Sequence, residues 1–260
     1  MQFISLASGS KGNCSYIASD AGAFLIDCGI SLKRIEQALA GNEYGASKLQ
    51  GVFLTHEHRD HIAGLGPLLR RYGVPCYGTE GTLAALNEKN IGKVSPSLFR
   101  PLDSAGVTLA DFDISWSPIS HDASDPVSYQ IHWQNKKIGM CTDVGTLSDD
   151  NLESLVESDI LLLEANHDKE MLLQGPYPEM LKRRIAGSYG HLSNDDCARA
   201  LEQIIGPKTK HVVLAHLSDK NNRPQRAFDT IRNHLQKNRT KGGSLRLWVA
   251  QQHEPLMLSI

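Results

Sequence analysis

The sequence predicts an α/β fold in which two β-sheets pack face to face with helices on the outside. Three observations carry that prediction. Short apolar runs separated by Gly, Ser, Asn and Asp clusters mark strands in two β-rich stretches, one at the start of the chain and one in its middle. Each stretch is followed by segments whose apolar residues recur at helical spacing. Histidines and aspartates recur just after the apolar runs, which puts them on loops along one edge of such a sandwich. At 260 residues, 40% hydrophobic and 22% charged, the chain has an ordinary soluble globular composition. That length is near the upper size for a single core, so one domain over residues 1–260 is expected.

The elements follow in order. Phe3-Ile4-Ser5-Leu6, Cys14-Ser15-Tyr16-Ile17 and Ala23-Phe24-Leu25-Ile26 read as strands. Residues 31–40 place Leu32, Ile35, Ala38 and Leu39 at helical spacing behind Ser31 as N-cap, and stop near Gly41. After the apolar run Val52-Phe53-Leu54, residues 65–72 and 81–90 read as helices, with a strand around Pro75-Cys76-Tyr77 between them. Residues 107–109, 113–119, 127–133 and 137–141 are meandering strands. A helix over 148–157, a buried strand over 160–163 and a helical segment over 179–185 come next. Ser193 and Asp196 resemble an acidic capping box, opening a helix that buries Ala198, Leu201, Ile204 and Ile205 and stops at Gly206-Pro207. A strand over 212–215, a helix over 224–236, a basic Gly-containing turn and a final strand pair close the chain, with no short-period repeat.

Composition narrows the function. Lys plus Arg total 27 against 29 Asp plus Glu, a net charge of −2, so any polyanion must be held locally, by a basic patch or by metals. Cys14, Cys28, Cys76, Cys141 and Cys197 are odd in number, scattered and without CxxC spacing, which argues against a disulfide framework or a thiolate zinc site and fits a reducing cytoplasm. The start of the chain lacks a basic n-region, and no segment approaches the ~20 apolar residues of a membrane span. A cytoplasmic protein without membrane association is expected.

The densest chemistry is Thr55-His56-Glu57-His58-Arg59-Asp60-His61, directly after an apolar run. Chance would produce His-x-His-x-Asp-His on the order of once in a thousand shuffled chains. Residues two apart in an extended segment point the same way, so His56 and His58 can grip one cation together. Asp60 and His61, where the chain turns toward a helix, can aim at a second. Zinc and similar ions accept imidazole nitrogen and carboxylate oxygen, and two of them ~3.5–4 Å apart can clamp both oxygens of an in-line displacement at phosphorus. More ligands should then lie at strand ends: His121, Asp143 and His216 do, and Asp27 is a carboxylate in the same context. Singly, each is as readily a cap or turn residue.

Together, these residues resemble the five motifs of the metallo-β-lactamase fold superfamily. The resemblance implies an αββα sandwich of two mixed β-sheets and two divalent metal ions, zinc or manganese. By that pattern His56, His58 and His121 hold one metal, Asp60, His61 and His216 the other, and Asp143 bridges. Asp27 would steady the His-rich loop rather than bind metal. Leu6-Ala7-Ser8-Gly9-Ser10-Lys11-Gly12-Asn13, Ser120-His121-Asp122-Ala123, Glu164-Ala165-Asn166-His167-Asp168, Leu181-Lys182-Arg183-Arg184-Ile185, Gly190-His191-Leu192-Ser193-Asn194 and Leu214-Ala215-His216-Leu217-Ser218 look like the YycJ/WalJ-like branch. That branch implies a bacterial cytoplasmic phosphodiesterase acting on DNA, with 5′-to-3′ exonuclease activity, a link to mismatch repair and so repair proteins as partners. Oligomeric state is not implied.

A water bridging two cations loses much of its proton affinity, since one zinc already brings its pKa to about 7; a hydroxide is therefore the expected nucleophile. Asp60 can orient it while ligating. His191 is the expected general acid for the leaving alkoxide, because phosphodiesterases of this superfamily place a non-ligand histidine there; it also reads as a histidine satisfying backbone groups before a helix. His167 reads equally as a supporting residue or a solvated one. Lys182, Arg183 and Arg184 fan over ~200° of a helix, so one or two can clamp a phosphate, and a solvated face is the other reading. Ser8, Ser10 and Asn13 lie in a Gly-rich loop able to approach a phosphate, though without a nucleotide-binding fingerprint. The basic stretch over 237–241 with Arg246 reads as a solvated turn. Competing readings on the same scaffold are an RNA-processing nuclease, a small cyclic phosphodiester hydrolase, a thioesterase resembling glyoxalase II, and a lactamase. Redox use would need an acidic ligand in place of His58, and a non-enzymatic interaction module would normally have eroded ligands.

Overall fold

The computed structural model describes residues 1–237 and 245–260. The basic Gly-containing turn falls largely on 238–244 and lies outside the described residues. The strands are β1 (Gln2–Ala7), β2 (Cys14–Ser19), β3 (Gly22–Ile26), β4 (Leu49–Phe53), β5 (Cys76–Gly78), β6 (Phe99–Pro101), β7 (Val107–Leu109), β8 (Phe112–Pro118), β9 (Val127–Trp133), β10 (Lys136–Cys141), β11 (Ile160–Glu164), β12 (His211–Ala215), β13 (Arg246–Val249) and β14 (Leu256–Ser259). The helices are α1 (Leu32–Leu39), α2 (Arg59–Ile62), α3 (Leu65–Tyr72), α4 (Glu80–Ala85), α5 (Asp149–Leu155), α6 (Lys169–Gln174), α7 (Glu179–Ile185), α8 (Asn194–Ile204) and α9 (Pro224–Lys237). They accompany two seven-stranded sheets, ordered β14-β1-β2-β3-β4-β5-β6 and β13-β12-β11-β10-β9-β8-β7. Both sheets mix parallel and antiparallel pairs, as expected.

The chain divides into two compact units, one made of Met1–Ser115, Ala123–Val127 and Gln252–Ile260, the other of Trp116–Asp122 and Ser128–Gln251. In the first, β1, β2 and β3 form an antiparallel meander and β3 to β6 run parallel. Ser31 caps α1 by accepting from Arg34 N–H, and Ile35 and Leu39 bury its apolar stripe. They join Tyr16, Leu25, Val52, Leu54, Leu65 and Leu68 in one core. Phe24 meets Phe53 and Phe112 edge-on at centroid distances of 5.3 and 5.2 Å. The helix read over 81–90 starts one residue earlier, behind Thr79 as N-cap, and ends at Ala85. It tightens into a 3₁₀ turn over Leu86–Glu88, because Asn87, Glu88 and Lys89 are exposed and offer no apolar face to bury.

In the second unit β9 and β10 are antiparallel and β10 to β13 run parallel. β11 is buried at every position, which its run Ile160-Leu161-Leu162-Leu163 requires of a central parallel strand. Ser148 and Asn151 form a reciprocal capping box on α5, and Ser193 caps α8. The expected final strand pair does not form. β13 joins β12, whereas β14 pairs with β1 in the other sheet. Residues 250–255 contain no glycine or Asn-Gly turn to close a hairpin, and the apolar β1 gains a partner for its open edge.

The parallel ladders align the ends from which functional residues emerge. Ile26 pairs with Phe53, so Asp27 and the loop from Thr55 leave β3 and β4 side by side. Cys141 pairs with Leu163 and Glu164 with Ala215, so Asp143, Glu164 and His216 leave β10, β11 and β12 at one edge. The carboxyl ends of parallel strands are where open α/β sheets bind ligands.

Candidate metal centre

In the first unit the site is built around the Asp27 carboxylate, which is 3% exposed. It accepts Thr55 N–H at 2.9 Å, the Thr55 hydroxyl at 2.9 Å and His61 Nδ1–H at 2.7 Å. The Thr55 Oγ1 in turn lies 3.0 Å from His56 Nδ1. Each contact occupies a Nδ1 atom and so presents Nε2 of His56 and His61 to a cation. The His56 ring lies 4.6 Å from that of His58 and 4.1 Å from that of His61. Asp60 Oδ2 comes within 3.6 Å of His61 Nε2. Asn13 Nδ2 donates to Asp60 Oδ2 at 3.3 Å and stands 3.0 Å from His61 Nε2, whose lone pair a bound cation would take in its place. A Cβ on Gly29 would stand 1.6 Å from the Asp60 carbonyl oxygen, so only glycine lets this loop close on the ligand turn. Glu57 points away: its Oε1 accepts the Ser124 amide and hydroxyl, tying residues 123–127 to the His-rich loop.

In the second unit the organiser is Glu164, fully buried at the end of β11. One oxygen accepts Nδ1–H from both His191 and His216 at 2.8 Å; the other accepts the amides of Val144 at 3.1 Å and Leu192 at 3.0 Å. Four donors fill this carboxylate, which makes it an orienting group rather than a cation ligand, although its oxygens lie within 4.8 Å of donor atoms of Asp143, His191 and His216. Burial pushes its pKa up, but the charge and hydrogen bond of His191 and the bond from His216 outweigh this and hold it below the usual carboxylate range. Burial likewise disfavours a charged His191, and Glu164 reverses that, raising the imidazole's pKa. His121 donates Nδ1–H to the Gly190 carbonyl at 3.2 Å and presents Nε2 3.9 Å from Asp143 Oδ1.

Asp27, Asp143 and His216 carry left-handed φ values of 59°, 57° and 54°. Each such residue costs about 1–3 kcal/mol and is kept only where the surroundings fix it. For His216 the surroundings are visible: Asn166 Nδ2 donates to its carbonyl at 2.9 Å. The donor sets fit divalent cations. Imidazoles with their second nitrogen hydrogen-bonded and buried carboxylates at their side are the chemistry of zinc and manganese sites.

The β-lactamase superfamily domain matches residues 23–217, three-quarters of the chain. The chain belongs to the β-lactamase superfamily. It is 40% identical to Exodeoxyribonuclease YycJ of Bacillus anthracis over 85% of this chain and 84% of that protein. It is also 40% identical to Exodeoxyribonuclease WalJ of Streptococcus pneumoniae over 88% and 86% of the two chains. The metallo-β-lactamase fold protein YhfI of Bacillus subtilis superposes with a TM-score of 0.70 at 18% identity, covering 99% of each chain. The protein is accordingly a metal-dependent hydrolase of this superfamily and fold. Among the described residues no helix is long and apolar enough to cross a membrane.

The remaining sequence-derived residues fall in different places. Ser8 and Asn13 are buried and Ser10 is exposed; the Asn13 amide is engaged with the ligand turn. His167 is buried, with Nδ1 lacking a hydrogen-bond partner among the described residues, and burial pushes its pKa down to about 4. Lys182 donates to the Leu173 carbonyl at 2.6 Å, and Arg183 is exposed beside Glu179. Arg184, not singled out among the basic triplet, pairs with Asp122 next to His121. Sequence reading also passed over Glu164, Thr55 and Asn166. Glu164 had a signal, a carboxylate ending an apolar strand as Asp27 does; Thr55 and Asn166 had none beyond their neighbours.

Proposed function

We propose that this superfamily member is a dinuclear-metal phosphodiesterase that degrades DNA from the 5′ end, working as one domain over residues 1–260. The observation that carries the reading is His191. It sits beside Asp143 and His216 with Nδ1 committed to Glu164, which leaves Nε2 to deliver a proton. His56, His58 and His121 would hold one cation, Asp60, His61 and His216 the other, with Asp143 shared between them. Zinc or manganese bound there would supply Lewis acidity toward the phosphate and make water a competent nucleophile at neutral pH.

The chain's own groups supply the rest. Asp60, as one of the residues that would hold the cation, would also orient the attacking water. Glu164 favours the charged imidazole of His191, whose Nε2–H passes to the leaving 3′ oxygen. Asp27 and Thr55 keep His56 and His61 in one tautomer. The exodeoxyribonuclease names of the 40% identical relatives support DNA as substrate. The 5′-to-3′ direction and a role beside mismatch-repair proteins rest on the resemblance to the YycJ/WalJ-like branch, and the five unpaired buried cysteines support a cytoplasmic setting.

The test is digestion of 5′-labelled and 3′-labelled duplex DNA by metal-reconstituted protein, with Asp143→Ala as control and matched RNA alongside. Early release of the 5′ label from DNA, absent in the control, is expected. Cleavage of RNA or a small phosphodiester without DNA turnover would keep the metal chemistry and discard the repair role.

A further inference from the structure

The turn that carries Asp60 cannot hold itself. α2 is four residues long, and its N-cap His58 makes no side-chain cap bond. A single helical turn of that length is unstable alone, so neighbouring segments must fix it. Asn13 does so at Asp60. Its N–H donates to the Asp60 carbonyl at 2.8 Å, and its own carbonyl accepts Gly29 N–H at 2.8 Å. Gly12 lets the chain pass this close: at its φ of 151°, a Cβ would stand 2.5 Å from the Gly29 carbonyl oxygen. His61 is held separately, its carbonyl accepting Cys28 N–H at 2.7 Å.

The side chain of Asn13 adds a second grip. Oδ1 accepts Gly9 N–H at 2.9 Å, and Nδ2 faces Asp60 Oδ2 at 3.3 Å and His61 Nε2 at 3.0 Å. A backbone N–H can only donate, so Gly9 fixes which end of the amide is oxygen and aims the NH₂ group at the carboxylate. Oδ2 is also the Asp60 oxygen that lies 3.6 Å from His61 Nε2, so the amide bears on the atom that would share a cation with that imidazole. Once a cation takes the His61 lone pair, Nδ2 keeps Asp60 as its acceptor. Sequence alone reads Asn13 as a loop residue able to approach a phosphate. At 7% exposure it offers a substrate little surface, and its bonds run to Asp60 instead.

We propose that Asn13 is a positioning residue for Asp60: its amide holds Oδ2 beside His61 Nε2 and so sets the orientation in which Asp60 meets a cation and the attacking water. That role rests on the phosphodiesterase reading and deepens it. The test compares wild type with Asn13→Ala, Asn13→Asp and Gln252→Ala. Asn13→Asp keeps the side chain's size and an oxygen for Gly9 N–H but sets a second carboxylate against Asp60. Gln252 grips the same loop at Lys11 and Gly12, so its loss loosens the loop without touching the amide. Kinetics are read on duplex DNA and bis(p-nitrophenyl) phosphate with manganese-reconstituted protein, and Mn²⁺ affinity by calorimetric titration of metal-free protein. Asn13→Ala is expected to lower kcat on both substrates about 10- to 100-fold with KM for DNA unchanged, and to weaken Mn²⁺ binding about 10- to 100-fold. Asn13→Asp is expected to lose turnover as far as Asn13→Ala does, and Gln252→Ala to keep both turnover and Mn²⁺ affinity. A raised KM for DNA with wild-type kcat and Mn²⁺ affinity overturns the role, since Asn13 would then touch the substrate. Wild-type turnover in Asn13→Asp overturns it, because the Gly9 contact alone would suffice, and that variant decides the matter if Asn13→Ala fails to fold. Equal losses in Gln252→Ala reduce Asn13 to loop support and overturn it as well. Tighter Mn²⁺ binding in Asn13→Ala overturns it too, since the amide would then only compete with the cation for His61 Nε2. Absence of DNA turnover by wild type defeats the nuclease reading itself, and the Mn²⁺ titration then still decides the role of Asn13.

Discussion

At the scale of single residues, Glu164 has the widest reach, because one carboxylate fixes two imidazoles and two backbone amides. Glu164→Gln replaces an anionic acceptor that both Nδ1–H groups share, and is expected to lower turnover of bis(p-nitrophenyl) phosphate about 10- to 100-fold with the protein still folded. Glu164→Ala also strands the Val144 and Leu192 amides, and a thermal melt should show a further loss of about 1–3 kcal/mol for each buried donor left unpaired. His191→Ala should keep its metal content, measured by elemental analysis, while turnover falls about 10²–10⁴-fold; loss of metal would make His191 a ligand instead. The motif residues His56, His58, Asp60 and His61 were legible because their spacing is rare by chance. Glu164 was passed over although it ends the strand read over 160–163 as Asp27 ends its own, because no spacing links it to His191 and His216, 27 and 52 residues further on. Arg184 and Arg183 were indistinguishable in sequence: neighbours on a helix differ only in what the next loop brings to them.

At the scale of elements, caps decided what could be read. Ser31 and Ser148 open their helices where the sequence placed them, and residues 65–72 form a helix with those bounds. α6 was missed because six residues carry too little periodicity to register. At α8, the Ser193 hydroxyl accepts Asp196 N–H at 3.1 Å, so Ser193→Ala should cost about 1 kcal/mol in denaturant unfolding. Burial raises the pKa of Asp196, but its bonds to Ser193, Lys169 and Arg199 prevail and lower it below the ordinary 3.8. A depressed carboxylate stabilises the fold above its unfolded value and stops doing so as pH falls through its folded one. The melting-temperature gap between wild type and Asp196→Asn should therefore be full at neutral pH and close in acid. A gap that widened in acid would contradict the sign.

At the scale of the whole molecule, two sheets were legible from the β-rich stretches each followed by helices, and their mixed character from the family resemblance alone. The partners of the last two strands were not, since pairing over more than 250 residues leaves no local mark. Bound cations stabilise whatever folded form holds them. Chelation should thus lower the melting temperature of wild type, zinc or manganese should restore it, and the double variant His58→Ala with Asp143→Ala should respond to neither. If that variant responds like wild type, the assigned ligands are wrong.

The return of the last strand to β1 sets an order of events during synthesis. Phe3 and Ile4 leave the ribosome more than 250 residues before Leu258 and Met257, their register partners. Gln252, which accepts from the Lys11 amide and donates to the Gly12 carbonyl, arrives just before them. The loop that carries Asn13 to the turn bearing Asp60 therefore stays unclasped, and an apolar sheet edge stays open, until those residues are made. A nascent chain of this protein is exposed to misassociation along the edge of β1 until β14 has been made.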